Sequence, residues 1–218
     1  MGLVKTVLFS DFDGTITEQE TFSLLMKEFA PEASRQIVPR LLSGETTLRD
    51  GVPAILETIP SARFPEMVNR MRSMALRPGF PEFLDLLERH SIPLVVLSGS
   101  LVELVMARLA PYASKISRVV AAHAETDGTF LRIYSETAGG SELVHKAAVM
   151  REYGGVLKIA IGDSVTDLTM AREADLVFAR SILAERMKTE NRPFVPYGTF
   201  FDISNYLEIF LKGTRNRG

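Results

Sequence analysis

The chain has 218 residues, an apolar fraction of 46% and a formal net charge of −2, so it can form one large domain or a core with a smaller insert. The balanced charge gives no electrostatic footprint for nucleic acid, and the absence of cysteine excludes disulfides and thiolate metal sites. No apolar run is long enough to span a membrane, and we expect a cytoplasmic protein that binds neither nucleic acid nor membranes.

The first predicted element is a buried strand that ends in two carboxylates. Residues 3–9 are mostly β-branched or large apolar side chains, which is typical of a strand buried on both faces. Asp11 and Asp13 follow where this strand must end, and Gly14 allows a sharp turn directly after them. Because open parallel sheets bind ligands at the carboxyl ends of their strands, these two acids are candidates for chemistry.

The next part of the chain, residues 16–77, has no strand pattern and is predicted to be a helical insert. Its helices are predicted from apolar spacing and from Gly and Pro breaks at 20–30, 32–42, 46–59 and 63–76. We expect this insert to cover the two acids as a cap. On its first helix, Phe22, Met26 and Phe29 could either line an apolar wall of the site or pack inside the cap.

From Gly79 onward, helices and strands alternate. Helices are predicted at 80–90, 101–110, 141–153, 167–174 and 181–190, and strands at 92–97, 118–122, 156–161 and 175–179. A hairpin over 123–136 is expected to turn at Asp127-Gly128, and a last short strand and helix end near 211. This alternation predicts a doubly wound, Rossmann-like α/β core (residues 1–15 and 78–218) with a parallel sheet and a helical cap domain (16–77).

Polar side chains follow three of the predicted strands, and a parallel sheet brings such strand ends to one edge. They are Asp11 with Asp13, Ser98 with Gly99, and Asp163 with Asp167. Four carboxylates without cysteine or a histidine cluster form an oxygen-rich site, which suits a hard cation such as Mg²⁺. A metal held by carboxylates favours an anionic substrate, so a phosphorylated small molecule is expected.

Three further groups could bind the phosphate of such a substrate. Lys146, at the start of a predicted helix region, could supply a cation against that charge. The Ser98 hydroxyl and the Gly99 amide precede a predicted helix, and they could hold phosphate oxygens there.

These motifs, taken together and in this order, resemble the four motifs of haloacid-dehalogenase-superfamily phosphatases. They are Asp11-x-Asp13-Gly14-Thr15, Ser98-Gly99, Lys146 and Gly162-Asp163-x-x-x-Asp167. The resemblance covers the whole chain, and the insert stands in the position of a type-1 cap.

The resemblance implies a role for each candidate residue. Asp11 would be the nucleophile that forms an aspartyl-phosphate, and Asp13 would act first as general acid and then as general base. Ser98, Gly99 and Lys146 would stabilise the transferring phosphoryl group. The resemblance also implies Mg²⁺ ligation by Asp11, by the backbone carbonyl of Asp13 and by Asp163, with support from Asp167.

A closer resemblance is to the methionine-salvage branch of that superfamily. It is carried by residues 26–31, 47–52, 161–167 and 177–180. It implies 2-hydroxy-3-keto-5-methylthiopentenyl-1-phosphate as substrate. The phosphoserine-phosphatase branch is the main alternative, because Glu20 stands where that branch has a glutamate for the substrate amine. Glu20 could equally be a residue that the helix N-terminus favours.

Two other functions are less favoured by the sequence. A phosphomutase on the same core would pass the phosphoryl group to a second acceptor instead of water. A catalytically silent binding protein would keep the fold without turnover, but every motif residue is retained. The sequence leaves open whether the protein is a monomer or a homodimer.

Overall fold

The computed structural model describes residues 5–215, so residues 1–4 and 216–218 of the predicted core domain lie outside the described residues. The strands are β1 (Thr6–Ser10), β2 (Leu94–Leu101), β3 (Arg118–Glu125), β4 (Arg132–Tyr134), β5 (Leu157–Gly162), β6 (Leu176–Ala179) and β7 (Val195–Pro196). The helices are α1 (Thr21–Phe29), α2 (Pro31–Ser43), α3 (Leu48–Leu56), α4 (Phe64–Arg72), α5 (Phe80–Arg89), α6 (Val102–Leu109), α7 (Lys146–Arg151), α8 (Leu168–Glu173), α9 (Ser181–Thr189) and α10 (Phe200–Arg215). No helix among these is both long and apolar enough to cross a membrane.

The strands form one sheet in the order β4-β3-β2-β1-β5-β6-β7, and every neighbouring pair except β3 and β4 is parallel. β1 is covered on both faces: Leu8 packs into the larger apolar cluster and Phe9 into a second cluster on the opposite face. This alternation is the expected result of a two-residue side-chain period. The doubly wound α/β fold is confirmed. Successive strands are added on one side of β1 up to β4 and on its other side from β5 onward, and such sheets bind ligands at the point between β1 and β5 where the strand order reverses.

The insert packs against helix α6 and the short strand β4 of the core. Within residues 16–77 the structure has helices α1 to α4 and no strand, as predicted, apart from single bridges such as Thr17 with Leu76. Phe22, Met26 and Phe29 are only 6%, 5% and 6% exposed and belong to the larger apolar cluster. These three side chains are therefore part of the apolar core that the insert shares with the sheet.

The predicted helix 141–153 was wrong at its start, because helix α7 begins only at Lys146. Gly139 forms a bridge with Glu142, and Gly140 has a φ of +56°, a backbone conformation that suits glycine. The residues before Lys146 are therefore a loop. In the same way, the second predicted strand continues past its expected end at 97 and reaches Leu101.

The predicted hairpin is present, but its two-residue turn at Asp127-Gly128 was wrong. β3 and β4 pair only as far as Glu125 with Arg132, so the connecting loop is longer. Residues 129–131 of this loop bond instead to the insert, where Ser61 N donates to the Thr129 carbonyl at 3.0 Å. This tertiary pairing prevents the tight turn that the dipeptide favours alone.

Candidate active site

Three strands of the sheet carry the predicted residues at their carboxyl ends. Asp11 directly follows β1, and its backbone N–H donates to the carbonyl of Ile161 on β5 at 3.0 Å. Asp163 directly follows β5, and Ser98 lies in the last part of β2. The sheet thus brings these residues to one edge, as the strand pattern predicted.

Three carboxylates meet at this edge. Among the described residues, Asp11, Asp163 and Asp167 each place one oxygen within 4.8 Å of the others. The buried Lys146 Nζ lies between two of them and donates to Asp11 Oδ1 at 2.5 Å and to Asp167 Oδ1 at 2.6 Å. The other oxygen of Asp167 accepts from the backbone N–H groups of Asp163 (2.9 Å) and Ser164 (3.0 Å), which fixes the turn after β5.

The electrostatics of this cluster leave excess negative charge. Burial and the neighbouring carboxylates, Asp167 first, raise the pKa of Asp11 well above its usual range, although Lys146 opposes this. Burial, Asp167 and Glu20 raise the pKa of Asp163 to about 6. Burial alone would lower the pKa of Lys146, but its attraction to Asp11 and Asp167 outweighs burial and raises it.

This cluster fits a hard divalent cation. Three carboxylates share one ammonium group, so their fully ionised forms would carry two negative charges more than Lys146 can balance, in a mostly buried place. Carboxylate oxygens are the ligands that Mg²⁺ prefers in proteins.

Glycines allow the acids to approach the backbone closely. Gly14 has a φ of +80°, and a Cβ atom there would lie 2.5 Å from Asp163 Oδ2. At Gly162 a Cβ atom would lie 2.7 Å from the side chain of Asp167. Both contacts are too short for any side chain, so the site requires glycine at these two positions.

Asp13 has a different environment from Asp11. Its Oδ1 accepts hydrogen bonds from the hydroxyl of Thr21 and from the N–H of Phe22 (3.0 Å), and its Oδ2 accepts from the Ser98 hydroxyl (3.0 Å). Burial and the charge of Glu20 nevertheless raise the pKa of Asp13 to about 7. Asp13 can therefore hold a proton near neutral pH, and its carboxylate is not part of the three-carboxylate cluster.

Glu20 and the phosphate-binding candidates lie around these acids. Glu20 immediately precedes helix α1 and is exposed, but its charge contributes to the raised pKa of both Asp13 and Asp163. The hydroxyl of Ser98 is engaged with Asp13, and it also accepts from the N–H of Ser100 at 3.0 Å. A Cβ atom at Gly99 would meet nothing within 4 Å, so its backbone faces open space.

Sequence reasoning missed the groups that orient the acids. Thr15 Oγ1 donates to Asp163 Oδ1 at 3.2 Å, and Thr15 stands inside the first motif, so its position offered a signal. Thr21 and the Phe22 N–H, which bind Asp13, lie eight and nine residues further along the chain. The sequence gives no signal for these two groups, because only the path of the loop after Asp13 brings them next to the Asp13 carboxylate.

Comparisons with known proteins show which family this chain matches. The haloacid dehalogenase-like hydrolase family matches residues 8–172. The chain is 44% identical over 207 residues to a 2-hydroxy-3-keto-5-methylthiopentenyl-1-phosphate phosphatase of Microcystis aeruginosa (strain NIES-843 / IAM M-2473), covering 94% of this chain and 98% of that relative. It is 32% identical over 212 residues to a phosphatase of the same name from Geobacillus thermodenitrificans (strain NG80-2), covering 94% and 96%.

Solved structures show the same fold at lower identity. A phosphoserine phosphatase from T. onnurineus in complex with NDSB-201 has a TM-score of 0.70 and 18% identity, covering 93% of this chain and 94% of that chain. A phospho-aspartyl intermediate analogue of phosphoserine phosphatase has a TM-score of 0.70 and 17% identity, covering 94% and 99%. These likenesses establish the fold of the chain.

Proposed function

The chain belongs to the haloacid dehalogenase-like hydrolase family and is a phosphatase, and from this premise we propose that it hydrolyses 2-hydroxy-3-keto-5-methylthiopentenyl-1-phosphate. The substrate assignment is supported by the 44% identity over 94% of the chain to a phosphatase of that name. The reaction type is supported by two buried aspartates with contrasting surroundings. Asp11 is paired with an ammonium group, whereas Asp13 has neutral donors and a pKa of about 7.

We propose that the first step forms an aspartyl-phosphate on Asp11. A carboxylate oxygen of Asp11 attacks phosphorus as the bond from phosphorus to the substrate oxygen breaks. The electron pair of the broken bond stays on the leaving oxygen, which takes the proton of Asp13 and departs as a neutral enol. Lys146 holds Asp11 at 2.5 Å and would offset charge on the phosphoryl oxygens.

The second step would use the same two residues in reversed roles. Asp13, now ionised, accepts a proton from water while the water oxygen attacks phosphorus. The bond between phosphorus and the Asp11 oxygen breaks, so that phosphate leaves and the Asp11 carboxylate is restored. The hydrogen bonds from Thr21, Phe22 and Ser98 stabilise the ionised form of Asp13 between the two steps.

We propose that the cofactor is Mg²⁺, held by Asp11 and Asp163 and supported by Asp167. When bound, the ion would offset the negative charge of the carboxylates and of the substrate phosphate. We further propose that the backbone carbonyl of Asp13 binds the ion and that Ser98 and Gly99 contact the substrate phosphate. Residues 16–77 would form a separate cap domain.

A second substrate class is favoured by one observation. Glu20 is an exposed carboxylate close enough to raise the pKa of Asp13 and Asp163, and a carboxylate there would suit a substrate with an amine, such as phosphoserine. We favour the salvage substrate because the two relatives described above, at 44% and 32% identity over 94% of this chain, carry that name.

Steady-state assays with the two substrates test the assignment. With Mg²⁺ present, we expect kcat/KM to be at least about 100-fold higher for 2-hydroxy-3-keto-5-methylthiopentenyl-1-phosphate than for phosphoserine, which is the size of discrimination that a few pocket contacts supply. EDTA should remove both activities. A preference for phosphoserine would contradict the salvage substrate, and activity that survives EDTA would contradict the cofactor.

The charge of Glu20 should control the pH dependence. Because Asp13 must carry its proton in the first step, we expect kcat/KM to fall above about pH 7, the pKa of this group. Glu20→Gln removes a negative charge that raises this pKa, so the fall should move to lower pH. Glu18→Gln, whose carboxylate interacts with Arg77, is the control and should leave the profile in place. An unmoved profile in Glu20→Gln would contradict this role.

A further inference from the structure

Arg77 lies where the insert returns to the core, and it binds the loop of residues 14–18 that follows Asp13. Its side chain is buried, with 5% exposed. The loop carbonyls that accept hydrogen bonds from its guanidinium are those of Gly14 (2.5 Å), Thr15 (2.8 Å), Thr17 (3.1 Å) and Glu18 (3.2 Å). Its own backbone N–H donates to the carbonyl of Ile16 at 2.8 Å, so one residue holds almost every peptide of this loop.

This guanidinium is buried without an ion pair. Among the described residues no carboxylate lies within ion-pair distance of Arg77. A second cation is close, because Arg180 Nη1 donates to the same Gly14 carbonyl at 3.2 Å. Burying a charge without a counter-ion costs free energy, and an apolar side chain would avoid that cost. What an arginine adds at this position, and an apolar side chain would not, is therefore the set of hydrogen bonds to backbone carbonyls.

The nucleophile and the acid depend on this loop to different degrees. Asp11 is held by the sheet, through its bond to Ile161, and by Lys146, and neither contact involves the loop. Asp13 is held by the Ser98 hydroxyl of β2 and by Thr21 and Phe22 at the start of helix α1, just beyond the loop. A shift of the loop would therefore move two of the three donors to Asp13 and leave Asp11 in place.

We propose that Arg77 is a positioning residue for the general acid: by binding the carbonyls of residues 14–18, it places Thr21 and Phe22 so that Asp13 faces the leaving oxygen. This inference rests on the proposed function of Asp13. Loss of Arg77 then impairs proton donation to the leaving group and leaves the attack by Asp11 largely intact. The defect should depend on how much the leaving group needs a proton.

The test compares two substrates that differ in this need. An alkyl phosphoester must receive a proton as it leaves, whereas acetyl phosphate releases acetate, which needs none. In the Mg²⁺-loaded full-length enzyme, we expect Arg77→Met to lower kcat/KM at least about 30-fold for the alkyl phosphoester and less than about three-fold for acetyl phosphate, since general acid catalysis contributes about 10² to 10⁴. Arg77→Lys, which keeps the charge but fewer donors, should lie between Arg77→Met and the wild type.

Arg108→Met is the matched control. Arg108 also contacts the returning chain, donating to the Met74 carbonyl at 2.6 Å, but it has no bond to the loop of residues 14–18. Its loss should change kcat/KM for both substrates by the same factor. If Arg77→Met does not fold, as judged by circular dichroism, the same two-substrate comparison is made with Arg77→Lys and with Thr21→Val. The second of these removes a donor to Asp13 directly.

An equal loss on both substrates in the Arg77 variants, or no loss at all, would overturn the inference. It would leave the proposed function intact, provided that the wild type hydrolyses both compounds. If the wild type hydrolyses neither these compounds nor 2-hydroxy-3-keto-5-methylthiopentenyl-1-phosphate, the proposed function fails, and the inference fails with it.

Discussion

Replacing Asp11 with Asn is expected to lower kcat by at least about 10⁴-fold, because an amide cannot form the acyl phosphate. The variant should still fold. Burial and the neighbouring carboxylates raise the pKa of Asp11, which means that the folded protein disfavours its ionised form despite Lys146. Removing that charge should therefore keep the melting temperature at or above that of the wild type.

Asp127→Asn is the control for this experiment. Asp127 is an exposed carboxylate in the loop between β3 and β4, and the same change there should leave kcat and stability unaltered. Phosphate release would be followed with Mg²⁺ on the substrate that the wild type prefers, and unfolding by circular dichroism. Turnover within about ten-fold of the wild type in Asp11→Asn would exclude this residue as the nucleophile.

Replacing Lys146 with Met is expected to lower the free energy of unfolding of the metal-free protein by about 3–5 kcal/mol, the cost of breaking a buried ion pair. Lys146 is 2% exposed, and its loss leaves Asp11 and Asp167 without their shared cation. We also expect kcat to fall by about 10² to 10³, as when a donor that stabilises developing charge is removed. Urea unfolding and steady-state kinetics measure the two effects.

Two further variants separate the ion pair from general effects of the substitution. Adding Asp167→Asn to Lys146→Met should recover part of the stability, because it removes one of the two unpaired carboxylates. Lys188→Met removes an exposed lysine that pairs with Glu185 at 2.8 Å, and it should stay within about 0.5 kcal/mol of the wild type. If Lys146→Met were as stable as Lys188→Met, the buried ion pair would not contribute as described.

The acidic residues of the site could be predicted because their signal is local. Asp11 and Asp163 each stand directly after an apolar strand, and the rule for parallel sheets then brings them to one edge. The contact of Lys146 with Asp11 and Asp167 spans 135 and 21 residues. The sequence therefore offered this lysine as a candidate cation, and the resemblance gave it a role, but neither predicted which carboxylates it contacts. Arg77 had no signal, since its partners are backbone carbonyls that any sequence would offer.

The prediction of the fold was correct where apolar periodicity is strong and wrong where tertiary contacts compete with local preferences. The order of strands and helices follows from apolar spacing, which the cores of β1, β2 and β5 require. At Asp127-Gly128 the local turn preference lost to pairing with the insert, and the loop before Lys146 follows a path that two consecutive glycines permit. Local propensities cannot register the outcome at Asp127-Gly128, because it depends on residues that are distant in sequence, whereas Gly139-Gly140 was a local signal for the loop before Lys146.

The most direct measurement is capture of the phosphoryl group on the protein. Enzyme mixed with substrate and Mg²⁺ would be quenched in acid during turnover, reduced with borohydride and digested, and the peptide that contains Asp11 examined by mass spectrometry. We expect residue 11 to be converted to homoserine in the wild type and to be unchanged in enzyme that received no substrate. Turnover without any reduced product at residue 11, or with the product at another carboxylate, would contradict nucleophilic catalysis by Asp11.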